Sequence, residues 1–211
     1  MSRGTRGMPR AQRETRILDA AVEEFGRSAY AGATVLSIAS AADVSKPLVL
    51  QYFGSKEDLF IACVTRAGTN LSARIDAVLA AGEPTLTLAA DTLAAIFIAL
   101  ENRPHDWTIL HDRTVDRGSA AHLAARVQRN VISAQAGRGV LALMAAAPGP
   151  VEVDDAAVLS EIWIGIVTSM VQWWLRHPDQ TATQMTDRSY RIIQTVTRLA
   201  AASNASRTRT P

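Results

Sequence analysis

Several residue types that mark particular protein classes are scarce in this 211-residue sequence. The single cysteine, Cys63, excludes an intrachain disulfide and therefore predicts a protein of a reducing compartment such as the cytoplasm. The first residues lack an apolar run, so we expect no signal peptide. Runs that alternate apolar and polar residues are also missing. Together with abundant Ala and Leu, this predicts an all-α fold.

Long hydrophobic runs are absent as well. The most apolar stretch is Ile162–Leu175, which lies between Glu161 and Arg176. This stretch is shorter than the roughly 20 residues that a transmembrane helix needs. We therefore expect a buried helix and no membrane partner.

Lysine is scarce in a chain that uses arginine for nearly all of its positive charge. Lys46 and Lys56 are the only lysines among 22 basic residues, and the net charge is +2. The first sixteen residues carry five arginines against one acidic residue, Glu14, whereas the charges cancel after residue 66. This local excess indicates an anionic partner for the N-terminal end, and the alternative is a solvated, flexible basic arm at residues 1–9.

Apolar periodicity and helix breakers predict about nine helices. The first begins near Arg10 and ends at Gly26 and the YAGA segment, and two short helices follow within residues 34–53. Residues 206–211 are expected to form a disordered tail. The other predicted helices are Lys56–Thr69, Leu71–Ala81, Thr85–Arg103, Asp106–Val115, Ala120–Ala147, Asp154–Arg176 and Thr181–Ser203.

Residues 34–53 have the proportions of a helix-turn-helix, which is two short helices joined by a tight break. Thr34 and Ser45 are positioned as helix N-caps, and Pro47 falls in a first turn, where its missing N–H costs nothing. Ile38 and Val49 are expected to face the first helix and complete a three-helix core. The outward residues of the second short helix are Lys46, Pro47, Leu48, Leu50, Gln51 and Tyr52.

A short helix with this outward face suits the DNA major groove, which accepts a single α-helix. The stretch ATVLSIASAADVSKPLVLQYFGSKEDLF, which begins at Ala33, closely resembles the DNA-binding segment of the TetR family of bacterial transcription regulators. The resemblance extends over roughly Gln12–Arg66. It implies a helix-turn-helix head at residues 10–55 and a larger helical body at residues 56–205 that binds a ligand and dimerises.

The implied function is sequence-specific transcriptional regulation. The expected protein is a cytoplasmic homodimer that acts as a repressor and leaves its double-stranded DNA operator when a small, largely apolar ligand binds. No cofactor, no metal and no enzymatic activity are expected.

The resemblance also implies which residues contact DNA. Thr34, at a helix N-terminus, is expected to bind a phosphate through its hydroxyl and backbone N–H. Tyr52 and Lys56 are expected to hold phosphates that flank the groove, and Lys56 adds its charge to the dipole of the next helix. The other expected DNA contacts are Ser45, Lys46, Pro47, Leu48, Leu50 and Gln51.

Some positions depart from the common family pattern. Asp43 stands where a glycine is usual in the turn, and Asp tolerates positive φ better than most residues. Leu48 and Leu50 stand where a small or hydroxyl residue and an aromatic are usual. Because neither leucine can donate a hydrogen bond, we expect them to contact thymine methyl groups. Gln51 is then the best candidate to read a base by hydrogen bonding.

The dimer interface and the ligand pocket each have an alternative interpretation as core packing. From pattern alone, the apolar faces of the last two helices fit either a dimer interface or a monomer core, and the resemblance implies the dimer. A ligand pocket is expected in the body, although core packing is the simpler interpretation of each candidate taken alone. The candidate effector contacts are Phe97, Trp107, Leu110, His111, His122, Arg126, Trp163, Ile166 and Met170.

Two other functions fit parts of the sequence. A metal or catalytic site would need ligands at helical spacing, but His111 and His122 do not pair, and HExxH, Gly-rich phosphate-loop and serine-elbow motifs are missing. A helical adaptor that binds only protein would explain the apolar C-terminal helices but not the head segment. Salt-dependent DNA binding separates the regulator from the adaptor.

Overall fold

Nine α-helices and no strand make up residues 8–207, the part of the chain that the computed structural model describes. Side chains are described as far as residue 196 and at Arg198. The predicted all-α class is confirmed. Expectations about residues 1–7 and 208–211 lie outside the described residues. In chain order the helices are α1 (Arg10–Gly32), α2 (Val35–Ala41), α3 (Lys46–Phe53), α4 (Lys56–Ala81), α5 (Leu86–Leu100), α6 (Pro104–Leu110), α7 (Ala120–Ala146), α8 (Val153–Leu175) and α9 (Ala182–Arg207).

The chain forms two compact units. The first contains the residues up to Leu71 together with Arg103–Ile132, and the second contains Ser72–Asn102 together with the residues from Ser133 onward. Helices α1, α2, α3 and α6 therefore belong to the first unit, and α5, α8 and α9 to the second. Helices α4 and α7 contribute residues to both.

The core of the first unit joins the three N-terminal helices to the start of α4. Ile38 of α2 and Val49 of α3 are buried, as predicted, and Ala39 lets the short helices approach closely. The rings of Phe25 and Phe60 meet edge to face with centroids 5.0 Å apart. Burial of each large apolar side chain of this kind contributes about 1.5–3 kcal/mol, so the short helices are held by packing rather than by their own propensity.

Helix α1 continues past Gly26, where the sequence predicted that it ends. A Cβ atom at Gly26 would collide with the imidazole ring of His105 in α6. The glycine therefore permits a close approach of α1 and α6 and does not break the helix. The departure from helical geometry comes three residues later at Ala29, with φ 55° and ψ 168°, and the helix ends at Gly32.

Helix α4 is one helix of 26 residues where the sequence predicted two. The predicted break at Asn70 fails because asparagine disfavours a helix only weakly. Leu71 and Ile75 are both buried, so tertiary packing holds the helix continuous across this point.

Helix α6 is shorter than predicted and begins earlier. It starts at Pro104, which occupies the first turn, and it ends at Leu110 instead of Val115. The carboxylate of Asp112 accepts a hydrogen bond from the N–H of Thr114 at 2.7 Å, which forms a local turn in place of another helical turn.

The second unit has α5 at its centre, packed along α9. Phe97 of α5 meets Trp174 of α8 edge to face at 5.2 Å, and the hydroxyl of Tyr190 in α9 donates to the carboxylate of Asp91. From α7, the amide of Gln135 donates to the carbonyl of Ser72 at 2.7 Å. These contacts join α5 to α8 and α9, and α7 to α4, within the unit.

Helix α8 corrects two expectations about its apolar stretch. The helix has 23 residues and is long and apolar enough to cross a membrane by length and composition alone, the one such helix in the described part of the chain. It is also not buried, because Ile162 and Ile166 are exposed by 53% and 43%. The helix itself was predicted almost at its observed bounds, as Asp154–Arg176, and it was judged too short to span because only its most apolar stretch, Ile162–Leu175, was counted.

The turn between α2 and α3 contains the one backbone conformation in the helix-turn-helix that favours glycine. Asp43 has a φ of 54°, its N–H donates to the carbonyl of Ser40 at 3.1 Å, and Val44 N–H donates to the carbonyl of Ala39 at 2.9 Å. A carboxylate oxygen of Asp43 lies 3.7 Å from a guanidinium nitrogen of Arg16. The departure from the usual glycine is therefore compatible with the turn.

We predict that Asp43→Gly leaves the free energy of unfolding within about 1 kcal/mol of the wild type, because glycine relieves the positive φ while the lost exposed ion pair is worth little. Asp43→Val should lower the free energy of unfolding by about 1–2 kcal/mol, because a β-branched residue is strained at this φ. Both variants lose the Arg16 pair, so their difference isolates the backbone. Urea denaturation measures it, and equal stabilities would contradict this account of the turn.

Candidate nucleic-acid interface

The N-terminus of α2 is closed by a reciprocal capping box. The hydroxyl of Thr34 accepts the N–H of Ser37 at 3.0 Å, and the N–H of Thr34 donates to the Ser37 hydroxyl at 3.3 Å. Both groups that the sequence assigned to a phosphate are therefore already used in the cap. The Thr34 hydroxyl also lies 3.0 Å from the Ser37 hydroxyl oxygen, so its hydrogen reaches a ligand only by turning away from Ser37.

A buried carboxylate connects this cap to α1. Glu24 is 7% exposed and accepts hydrogen bonds from the Ser37 hydroxyl at 2.8 Å and from the guanidinium of Arg27. The hydrogen bond from Arg27, followed by that from Ser37, holds the pKa of Glu24 below its usual value of 4.5. The charged form of Glu24 thus fixes α2 against α1.

Helix α3 presents most of its surface to solvent. The Ser45 hydroxyl accepts the N–H of Leu48 at 3.3 Å and caps the helix, and Val49 is its one buried residue. Gly54, with φ 80°, ends the helix as predicted. The exposed residues are Lys46, Pro47 and Gln51, and the half-buried residues are Leu48, Leu50, Tyr52 and Phe53.

Two arginines of α1 surround the phenol ring of Tyr52. A guanidinium nitrogen of Arg13 donates to the Tyr52 hydroxyl oxygen at 3.2 Å, and the other donates to the carbonyl of Met8 at 2.8 Å. The guanidinium carbon of Arg10 lies 5.3 Å from the centre of the Tyr52 ring. Because the phenol oxygen accepts from Arg13, its own hydrogen remains available as a donor.

Lys56 occupies the first position of α4 and rests on an aromatic ring. Its ammonium nitrogen lies 4.5 Å from the ring centre of Tyr30, and partial burial lowers the pKa of Lys56. The Tyr30 ring packs in turn against Phe60, with centroids 4.9 Å apart. A cation on the face of an aromatic ring is held in position without being neutralised.

The segment between α6 and α7 holds the backbone around Tyr30 and the start of α4. The carboxylate of Asp112 accepts the N–H of Tyr30 at 2.6 Å, and the Thr114 hydroxyl accepts the N–H of Ala31 at 3.1 Å. From α4, the carboxylate of Glu57 accepts the N–H of Ala121 at 3.0 Å at the start of α7. The end of α1, the start of α4 and the start of α7 are therefore hydrogen-bonded together.

The predicted DNA contacts lie in one unit of the structure, whereas the predicted effector contacts are divided between the two units. The DNA contacts all lie in the first unit, on α2, α3 and the first turn of α4. Of the effector candidates, Trp107, Leu110, His111, His122 and Arg126 belong to the first unit, and Phe97, Trp163, Ile166 and Met170 to the second. Within residues 8–207 no three His, Cys, Asp or Glu side chains are grouped so that they could hold a metal ion.

Sequence reasoning missed the residues that support Tyr52 and Lys56. Arg13 lies 39 residues from Tyr52 in sequence, and Asp112 lies 82 residues from Tyr30. The basic N-terminal run indicated the charge of Arg10 and Arg13 but not their partner. Tyr30 lay in the YAGA segment, which was interpreted only as a helix break.

Comparisons with known proteins agree with this geometry. The family model described as "Bacterial regulatory proteins, tetR family" matches residues 17–63. The regulatory protein RaaS of Mycobacterium tuberculosis is 42% identical over 74 residues, which is 35% of this chain and 34% of that protein. The transcriptional activator FasR of Mycolicibacterium smegmatis is 25% identical over 175 residues, 83% of this chain and 77% of that protein.

Solved structures share the fold over most of the chain. A TetR-like regulator from Rhodococcus sp. RHA1 has a TM-score of 0.71 at 19% identity and covers 89% of this chain and 96% of its own. FadR of Bacillus subtilis, solved with stearoyl-CoA, has a TM-score of 0.66 at 15% identity, covering 85% and 95%. AibR, solved with isovaleryl coenzyme A and operator DNA, has a TM-score of 0.66 at 18% identity, covering 83% and 94%.

The class of protein is indicated by three findings. They are the helix-turn-helix match, the related regulators and the shared all-helical fold. TetR-family proteins are regulators and not enzymes. Residues 17–63 therefore match the TetR family of bacterial regulatory proteins, and the chain shares the all-helical fold of TetR-like regulators.

Proposed function

We propose that the protein is a homodimeric repressor whose heads each insert α3 into a major groove and which leaves its operator when a small ligand binds. The observation that carries this proposal is the surface of α3, which buries only Val49 and leaves Lys46, Pro47 and Gln51 exposed beside cations from α1 and α4. The head is residues 10–55 and the body residues 56–205. Half-sites are expected about one helical turn apart, roughly 34–36 Å.

In this proposal the exposed face of α3 reads bases. Gln51 is the hydrogen-bonding reader, and Leu48 and Leu50 contact thymine methyl groups. Lys46 and Pro47, in the first turn, approach base edges or the nearest phosphate. Sequence preference then depends on few hydrogen bonds and more on methyl contact and groove shape.

The phosphate contacts flank this face. Thr34 and Ser45 offer hydroxyl groups at the starts of α2 and α3, and Tyr52 donates its phenol hydrogen. Lys56 combines an ammonium group with the N-terminal end of α4, where the helix dipole also favours a phosphate. Its position against Tyr30 reduces the side-chain entropy that it loses on binding.

The dimer in this proposal forms through α8 and α9. Exposed apolar side chains are concentrated there, with Val158 and Ile162 on α8 and Ile192 and Val196 on α9. An apolar surface of this extent normally marks an interface, and a two-fold dimer buries the same patch on both copies. In such a dimer the partner protomer, and not a membrane, covers the apolar face of α8. A cytoplasmic location also fits Cys63, which forms no disulfide and is buried, and burial raises the pKa of its thiol to about 12.

The proposed effector is an acyl-coenzyme A thioester. This choice is supported by FadR and AibR, which share the fold and were solved with stearoyl-CoA and isovaleryl-CoA. Within the first unit, the buried side chains of Trp107 and Leu110 offer apolar surface for the acyl chain, and His111, His122 and Arg126 offer polar groups for the rest of the ligand. FasR is an activator, so a reporter gene downstream of the operator distinguishes repression from activation.

We predict that Lys56→Ala weakens binding to all DNA sequences and reduces the slope of log K against log salt by about one unit, because it removes one phosphate contact. Gln51→Ala should leave the slope unchanged and relax the preference at one base pair, with an effect of about 1–3 kcal/mol. Titrations of each variant with selected and scrambled duplexes at several salt concentrations measure both effects. If Lys56→Ala changed the preferred sequence, the phosphate assignment would be wrong.

We predict that Arg13 and Tyr52 act on DNA as one unit. Arg13→Met and Tyr52→Phe should each weaken operator binding roughly three- to tenfold, since each removes the hydrogen bond that orients the phenol group. The double variant should be no weaker than the worse single variant by more than about twofold. Arg16→Met, on the same helix but paired with Asp43, is the control and should be additive with Tyr52→Phe. Additive effects of Arg13 and Tyr52 would exclude the coupling.

We predict that Ile162→Glu dissociates the dimer, because it places a charge in an apolar interface. Sedimentation should then give the monomer mass of 22.6 kDa, while the wild type sediments at twice that mass. Ile98→Glu is the matched control, since Ile98 is equally exposed in the same unit, at 54% against 53%, but lies on α5. A wild-type monomer, or dissociation by Ile98→Glu alone, would contradict the assignment of the interface to α8 and α9.

A further inference from the structure

The junction of α6 and α7 carries an excess of positive charge. Arg126 and Arg129 lie on α7, and Arg113 and Arg117 lie on the segment that follows α6. Among the described residues, none of these four arginines forms an ion pair with a carboxylate. By contrast, Arg16, Arg27, Arg66, Arg103 and Arg138 all do.

The arginine group is fixed to α6 by direct contacts. A guanidinium nitrogen of Arg129 donates to the carbonyl of Leu110, the last residue of α6. The next residue, His111, stacks on the Trp107 ring with centroids 4.4 Å apart, and its Nδ1–H donates to the Trp107 carbonyl at 3.0 Å. Nδ1 thereby carries the hydrogen of the neutral ring, and Nε2 can donate a hydrogen bond to an anionic ligand when that ligand's charge leads the ring to be protonated.

The same face of α7 carries the other polar members of the group. His122, Arg126 and Arg129 are separated by four and three residues, so their side chains lie on one face of the helix. Arg126 is exposed, whereas His122, Arg129 and His111 are half-buried. The face therefore leads from solvent towards the apolar side chains of Trp107 and Leu110, which are both buried.

The nearby acidic groups are committed to other partners. The carboxylate of Asp112 accepts the N–H groups of Tyr30 and Thr114 and the hydroxyl of Thr114. Glu57 accepts the N–H at the start of α7. The exception is Asp116, whose carboxylate forms no such hydrogen bond among the described residues, and residues 111–130 therefore hold four arginines against two aspartates, an excess of two positive charges.

Burial and mutual repulsion lower two pKa values in this group. Burial, and then repulsion from Arg129 and Arg113, lowers the pKa of His111, against the hydrogen bond to Trp107, which raises it. Burial and the charge of Arg126 lower the pKa of Arg129. Partly buried like charges are stabilised when an anion binds between them.

We propose that His111, Arg126 and Arg129 form a phosphate-binding subsite that takes the phosphate groups of the effector. This inference rests on the proposed acyl-CoA effector and specifies which part of the thioester these residues bind. Phosphate is the anion whose oxygens match a guanidinium fork in pairs. The subsite adjoins Asp112, which holds Tyr30 under Lys56, so an anion bound here acts on the segment that positions a proposed DNA contact.

The test compares ligands that differ only in phosphate. Isovaleryl-CoA and stearoyl-CoA are titrated into the full-length protein, together with the corresponding S-acyl pantetheines, which lack phosphate, and inorganic pyrophosphate. The variants are Arg126→Gln, whose side chain is exposed and tolerates substitution, and Arg129→Lys, which keeps the charge but not the fork. Arg74→Gln is the control, because Arg74 is also exposed and forms no ion pair among the described residues.

The expected result is selective loss. Arg126→Gln should weaken acyl-CoA binding about ten- to hundredfold, the effect of one hydrogen bond to a charged group. Its affinity for S-acyl pantetheine and, without ligand, for DNA should equal that of the wild type. Arg129→Lys should be weakened less than Arg126→Gln, and Arg74→Gln should be unchanged.

Other outcomes overturn the proposal in distinguishable ways. If Arg126→Gln binds acyl-CoA with wild-type affinity, the phosphate subsite is rejected, whereas the proposed class of effector is not. Equal loss for acyl-CoA and S-acyl pantetheine assigns the arginines to folding or to the acyl pocket. Loss of DNA affinity without ligand assigns them to the operator. Arginine-dependent binding of pyrophosphate without binding of any acyl-CoA supports the subsite and rejects the acyl-CoA effector.

Discussion

The orientation of α3, the helix proposed to bind DNA, depends on one buried carboxylate. Glu24 accepts hydrogen bonds from Arg27 on its own helix and from Ser37 in the capping box of α2, so its charge fixes the angle at which α2 leaves α1. The turn at Asp43 and the buried side chains of Ile38 and Val49 then fix the orientation of α3 relative to α2. Because the pKa of Glu24 is lowered, its contribution to stability is full above its usual value of 4.5 and is lost as the pH falls through the lowered value.

Next to α2 and α3, three cationic side chains are positioned by contacts with tyrosine side chains. Arg13 and Arg10 meet Tyr52, and Lys56 rests on Tyr30. The Tyr30 ring orients the ammonium group of Lys56 without cancelling its charge, which is the requirement for binding a phosphate at a fixed distance. The two lysines of the chain differ in this respect, since Lys46 is exposed on α3 whereas Lys56 is half-buried.

The sequence was sufficient to predict what depends on neighbours in the chain. The caps at Thr34 and Ser45, the end of α3 at Gly54 and the burial of Ile38 and Val49 follow from local spacing, and all appear in the structure. The failures share a physical cause, which is packing between distant segments. Gly26 ends no helix because His105 packs on it, and α4 continues past Asn70 because Leu71 and Ile75 are buried. The effector candidates were chosen by residue type, and periodicity alone does not bring separate helices together.

The central claim is that α3 lies in a major groove between phosphates held by α1, α2 and α4. The most direct measurement is hydroxyl-radical footprinting of the wild-type protein on genomic fragments that it retains, over a series of salt concentrations. The account predicts two protected half-sites on one face of the duplex, with centres about one helical turn apart, and protection that weakens steeply as salt rises. Retention of fragments without a periodic footprint, or protection that is independent of salt, would contradict it.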